Sequence, residues 1–333
     1  MASSEARPAA GAACGPEGLV IRAARPDDRA AVLDFCARGS DRGDYISEVF
    51  DAWVADPDGD FLVAELDGRP VGVARVLADD GQAWFEGLRV DPIYRRRGIA
   101  RRLTRAEISC GRRRGCPVAR SMISDDNGLS RRVSESEGLA RFCGLRFLLK
   151  ATGARADDRP AAVIAGGIGS AGVPGQMWPL RPLAPDEATV ARVVRDLHDG
   201  ALLRCPDGAP GLLVGRRWRP ASDWVVRQVA AQRELWALPA APAAAAPGAW
   251  RLLAAVTVRG DKRLDVVPLT GDPAACREVA RAARHEARRL GCPWAQVVVL
   301  QGSPHEELLL AAGFHPPLTW TGRIGAYEMK LQP

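Results

Sequence analysis

Lysine is almost missing from this chain: Lys150, Lys262 and Lys330 are the only three in 333 residues. That excludes a Walker-type phosphate loop, which needs a lysine after its glycines, and no G-x-G-x-x-G stands in for it. Histidine is scarce too. His198, His285, His305 and His315 all fall in the second half, so the first half has no imidazole base. The eight cysteines form no C-x-x-C and no Cys/His pairing at zinc spacing, which excludes a finger-type metal centre. Most of them sit in apolar stretches, the setting of free buried thiols in a reducing cytosol. No run approaches 18 apolar residues, so a membrane helix is not expected. Residues 1–18 lack an apolar h-region and read as a tail, not a signal peptide. Aromatics are 6% and not interleaved with basic residues, which argues against a nucleic-acid partner despite the net charge of +6.

Arginine carries the charge instead. Between Arg89 and Arg132 alone there are thirteen arginines. At 47% hydrophobic and 26% charged residues, the chain suits globular cores, with length for about two domains. The run Arg95-Arg96-Arg97-Gly98-Ile99-Ala100 follows a strand-like stretch, Trp84-Phe85-Glu86-Gly87-Leu88-Arg89-Val90, and opens an amphipathic stretch from Ile99 to about Arg113. A strand, a short turn and a helix start make an anion site. The first-turn N–H groups have no intrahelical partner, and the helix dipole places positive charge where they point. Gly98 lets a pyrophosphate approach the backbone, and Ala100 keeps the next turn narrow. Arg95, Arg96, Arg97, Arg101 and Arg102 offer forked donors to phosphate oxygens.

The two halves echo each other. Ile21-Arg22 before Pro26-Asp27-Asp28 recurs as Leu180-Arg181 before Pro185-Asp186-Glu187, each a strand leading into a helix begun by proline and acids. Gly115-Cys116-Pro117 recurs as Gly291-Cys292-Pro293, and Glu137-Gly138-Leu139 as Ala312-Gly313-Phe314. Three echoes in one order predict a duplicated α+β unit. The division expected is a tail over 1–18, a catalytic domain over 19–152, a linker over 153–175 and a second copy over 176–333. Much of the extra length in the second copy is assigned to the alanine-proline stretch 238–249. Aligned on the Gly-Cys-Pro triplets, Arg95 falls on Gly271, Gly98 on Ala274 and Ala100 on Cys276. The second turn, Thr270-Gly271-Asp272-Pro273, puts an acid where a pyrophosphate needs positive potential, and its proline removes a donor. Degeneracy of the second copy follows.

Arg-x-x-Gly-x-Ala after a strand reading Gly-Leu-x-Val resembles the acetyl-CoA pyrophosphate loop of the GNAT superfamily of N-acetyltransferases. The resemblance implies a mixed central sheet flanked by helices, in two tandem copies, with acetyl-CoA as co-substrate and no metal. It implies that Leu88, Arg89 and Val90 lie on a splayed strand that aligns the pantetheine and thioester, while Arg95, Arg96, Arg97, Gly98, Ile99, Ala100 and Arg101 cradle the pyrophosphate. Glu86 on that strand is the candidate base, its carboxyl raised by apolar neighbours and able to take the acceptor's proton; the competing reading is a strand glutamate salt-bridged to an arginine. Asn127, Ser130, Gly138 and Leu139 match the superfamily's next helix. Ser134 stands at the usual tyrosine position. Serine is a poorer acid, so the departing thiolate takes its proton there, from another residue or from water.

A narrower likeness is carried by Asp44-Tyr45, Trp53-Val54-Ala55-Asp56-Pro57, Glu86-Gly87-Leu88-Arg89-Val90-Asp91-Pro92 and Trp218-Arg219-Pro220-Ala221-Ser222. It is similar to the histidine N-acetyltransferase family. The resemblance implies a cytoplasmic enzyme acting on the amine of a small amino-acid-like acceptor, histidine among them. Asp44, Tyr45 and Glu48 would line the acceptor pocket, with Arg89 facing the substrate carboxylate; the alternative is that Tyr45, Phe50 and Trp53 simply pack a helix on the sheet. Two other functions stay open: a protein or peptide N-acetyltransferase, and a non-catalytic acetyl-CoA-binding module.

Overall fold

The computed structural model describes residues 16–39, 44–153, 180–215, 217–240, 249–259 and 263–331. Most of the expected tail and linker, and the 241–248 part of the alanine-proline stretch, lie outside those residues. The first repeat runs β1 (Val20–Ala23), α1 (Arg29–Gly39), α2 (Ile46–Ala55), β2 (Gly59–Leu66), β3 (Arg69–Asp79), β4 (Gln82–Val90), α3 (Ile99–Arg113), β5 (Val118–Ser124), α4 (Gly128–Ser136) and β6 (Ala140–Ala151). The second runs β7 (Arg181–Pro182), α5 (Glu187–Gly200), β8 (Gly211–Val214), β9 (Arg217–Pro220), α6 (Asp223–Ala231), β10 (Leu235–Pro239), β11 (Trp250–Arg259), β12 (Arg263–Pro268), α7 (Pro273–Arg289), β13 (Trp294–Leu300), α8 (Pro304–Ala311) and β14 (Arg323–Lys330). Without the β8–β9 hairpin the two orders coincide. The fold is an α+β sheet-and-helix architecture in two copies.

By contact the chain forms two compact units: Met1–Ala119 with Val133–Gly138 and Lys330–Pro333, and Arg120–Arg132 with Leu139–Met329. In the first unit, β1-β2-β3-β4 pair antiparallel in that order. Val32, Phe35, Ile46, Phe50 and Trp53 of α1 and α2 close a core with Phe61, Val63 and Val73 of the sheet. Helix α3 packs very close to β3: a Cβ on Gly72 would stand 3.1 Å from Leu103 and 3.3 Å from Ile99. Burial of such side chains contributes about 1.5–3 kcal/mol each.

In the second unit the strand order is β14-β6-β13-β12-β11-β10-β7. Within this order of described strands, β12 and β13 pair parallel and the others antiparallel, as a helical crossover through α7 requires. β6, the last strand of the first repeat, lies between β13 and β14, paired to β13 from Trp294↔Ala151 to Leu300↔Leu145. Repeat and compact unit are therefore different divisions of the chain. Small residues of α7, among them Ala280, Ala283 and Ala287, bury against Val256, Leu264, Val266 and Val297.

Candidate active site

The strand expected to carry the chemistry bends at the critical place. Arg89 pairs with Val73 and Glu86 with Arg75, so Gly87 and Leu88 face the single residue Ala74. This is a β-bulge, with Gly87 at φ +72°. A Cβ there would also come within 2.7 Å of the Trp53 ring. Both the backbone angle and the space demand glycine, and the bend re-aims Leu88, Arg89 and Val90, all partly exposed, beyond Glu86.

Beyond the bulge the chain turns through Pro92–Tyr94 into α3. Buried Asp91 holds this turn, accepting from the Ile93 N–H at 3.0 Å and from Arg38 at 3.0 Å. Arg96 (φ 63°) and Gly98 (φ 78°) both take the left-handed conformation, curling the backbone around Arg97. Gly98 caps α3 without any side-chain hydrogen bond to the first turn. Its neighbour Ile99 is buried, Ala100 half-buried, and Arg95, Arg96 and Arg97 are exposed. Arg97 stacks over Tyr94 at 5.2 Å, and Arg95 Nε donates to the Val90 carbonyl at 3.3 Å. An open helix start ringed by three exposed cations suits a pyrophosphate.

Two expected phosphate ligands are otherwise engaged. Arg101 donates to Glu137 at 2.8 Å and Arg105 donates to the same carboxylate at 2.7 Å. Those bonds hold the Glu137 carboxyl below its ordinary range against the opposing effect of burial. Arg102 reaches back to the Leu19 carbonyl.

The acceptor residues differ from expectation in one respect. Asp44 and Arg89, assigned to opposite ends of a substrate, bond to each other, Arg89 Nε donating to Asp44 Oδ2 at 2.5 Å. Asp44 Oδ1 also accepts from the Ile46 N–H at 3.0 Å, which fixes the start of α2. Arg89 lies over the Tyr45 ring at 5.4 Å. Tyr45 is 43% exposed whereas Phe50 and Trp53 are buried, so packing accounts for the latter two and leaves the phenol at the surface. Glu48 is exposed. Beneath them lies Cys36, whose thiol burial and the Asp44 charge push up to about 12, which rules it out as a thiolate nucleophile.

Glu86 is partly exposed and accepts from Arg75, a residue sequence reading passed over. The signal was present: a lone arginine inside the apolar run Val73-Ala74-Arg75-Val76-Leu77. Also overlooked was Glu107 on α3, wholly buried, its carboxyl held well above the ordinary range by burial.

On α4, Asn127 Oδ1 accepts from the Ser130 N–H at 3.0 Å, an N-terminal cap. Asn127 is exposed and Ser130 half-buried; Ser134 is buried in the first unit.

The second copy's helix start is closed. Asp272 caps α7, its Oδ1 accepting from the Ala275 N–H at 2.7 Å. α7 has 17 residues against 15 in α3 and begins earlier, so cap aligns with cap and Gly98 corresponds to Asp272, not Ala274. The carboxylate occupies the seat that Gly98 leaves open.

Residues 29–134 match the model of the Acetyltransferase (GNAT) family. The fold is shared with a GCN5-related N-acetyltransferase from Sphaerobacter thermophilus (TM-score 0.59, 16% identity, 96% of this chain and 98% of that one). It is also shared with a tandem GNAT protein from the clavulanic acid biosynthesis pathway (TM-score 0.52, 18% identity, 95% and 98%). No curated protein matches the sequence. Residues 29–134 thus carry the match to the Acetyltransferase (GNAT) family, and the chain as a whole shares the fold of these GNAT structures.

Proposed function

We propose that the chain transfers the acetyl group of acetyl-CoA to the amine of a small amino-acid-like acceptor, with histidine the first to try. The observation that carries the reading is the contrast between helix starts: α3 opens at Gly98 with no side-chain cap, while Asp272 fills the start of α7. When bound, acetyl-CoA supplies an acetyl group already activated as a thioester. The chain's own residues do the rest. Gly98, the α3 N–H groups and Arg95–Arg97 hold the pyrophosphate, and Leu88 to Val90 beyond the bulge orient the pantetheine arm. Arg101 acts at second hand, through its pair with Glu137. Tyr45 offers a ring face and Glu48 a carboxylate to the acceptor. Glu86 receives a proton from the acceptor's ammonium and passes it to solvent. A thiol whose ordinary pKa is about 8.5 leaves without an acid, so water replaces the usual tyrosine and Ser134 keeps a packing role.

A second reading, acetylation of a peptide or protein amine, is favoured by the Asp44–Arg89 pair. That bond occupies the arginine which a free amino acid's carboxylate would use. Thiol release from acetyl-CoA against a panel of free amino acids and peptides separates the two. Turnover on histidine or another free amino acid supports the first reading; turnover on peptides alone replaces it with the second. In the same assay Glu86→Gln should lose about a hundredfold or more in turnover while calorimetry shows coenzyme affinity kept.

A further inference from the structure

Arg75 stands in the middle of β3 with 3% of its side chain exposed. It is registered opposite Glu86, so both side chains leave the same face of the sheet. One Nη donates to Glu86 Oε1 and the other to Oδ2 of Asp56, the residue that ends α2. The Trp53 ring covers the guanidinium at 4.8 Å. Gly59 makes room beneath it, since a Cβ there would stand 3.1 Å from Nε and 3.2 Å from Nη2. Bridging two carboxylates from one buried cation needs a planar fork, which lysine lacks. Nε itself is buried without a partner, so the arrangement is shaped by its two Nη contacts and not by satisfying every donor.

We propose that Arg75 and Asp56 are positioning residues for Glu86: the guanidinium fixes the orientation of the carboxylate, and Asp56 holds the guanidinium's other side and offsets its charge. The inference rests on the reading of Glu86 as the group that takes the acceptor's proton. One guanidinium between two carboxylates leaves a net charge of −1, whereas a simple pair would leave none. Other groups complete the surroundings. Glu107 of α3 couples to Glu86 from within the core. Tyr45 meets Trp53 edge-on at 5.9 Å, with Arg89 over its ring and tied to Asp44. The proton moves from the ammonium nitrogen to a Glu86 oxygen and on to solvent, and no redox partner is needed.

The test is a pH titration of carboxyl-13C-labelled glutamate in the full chain, with Glu86→Gln assigning the Glu86 resonance. Asp56→Asn leaves the guanidinium uncompensated, so the Glu86 midpoint should fall by about one pH unit. Arg75→Gln leaves Asp56 facing Glu86 with no cation between them, so it should rise by a similar amount. A merely structural role lowers the melting temperature in both variants without opposite shifts. Shifts of one sign, or none, overturn the proposal. If Arg75→Gln does not fold, Asp56→Asn decides alone, since asparagine keeps the oxygen that accepts from the Asp58 N–H at 3.0 Å. Thiol-release assays on Glu86→Gln separate the two ideas. Full turnover in that variant removes the base assignment, while reduced turnover with unshifted titrations removes the positioning role alone.

Discussion

Glu107 packs inside the first unit at 2% exposure, where burial opposes its charge and the Glu86 charge adds to that. Its folded-state affinity for a proton therefore exceeds that of the unfolded chain. The stability this contributes is complete below the ordinary carboxylate value of about 4.3 and is lost as pH rises through the folded value. Glu107→Gln removes that loss. Its melting temperature should gain on the native protein as pH goes from 5 to 8, and a gap that stays constant with pH would refute the assignment. Gly87→Ala tests the bulge by strain: left-handed backbone costs about 1–2 kcal/mol for a residue with a Cβ, and the Trp53 ring adds a clash. Denaturant unfolding should lose at least that much. Glu86 stood out in the sequence because a charge on an apolar strand advertises itself. Its partner was not, because Arg75 is a neighbour only through β3–β4 register. The Asp44–Arg89 bond was hidden for the same reason, each residue having been assigned to substrate when it completes the other.

Helix starts are the element that separates the two copies. Capping chemistry at Pro26 and Asp186 is local, so sequence showed where those two helices begin. The earlier start of α7 was not visible, since alignment from the Gly-Cys-Pro end carries no information about helix length. Asp272→Ala should cost about 1 kcal/mol of stability through the lost cap and leave acetyl-CoA affinity unchanged. Gly98→Trp should abolish coenzyme binding at α3, because its side chain would enter the open seat. Calorimetry giving one acetyl-CoA per native chain, and none for Gly98→Trp, is the outcome expected; two per chain would show the second start to be competent.

At the scale of the whole molecule, repetition made the order of elements readable twice over, and that redundancy is why the duplicated fold emerged from composition and spacing. The destination of β6 did not emerge. Long-range strand pairing leaves no local signature beyond alternation, and β6 alternates equally well for any partner. Its ladder to β13 predicts how the chain responds to a cut. An engineered protease site between residues 153 and 180, once cleaved, should give two fragments that elute together on size exclusion under native conditions, because seven residue pairs from Leu145 to Ala151 still join them. Fragments that separate would contradict the pairing. Deletion of the second repeat would strip β6 of both its neighbours, β13 and β14. Strand exchange thus gives the second repeat an architectural part in completing the first, whether or not its own helix start holds an anion.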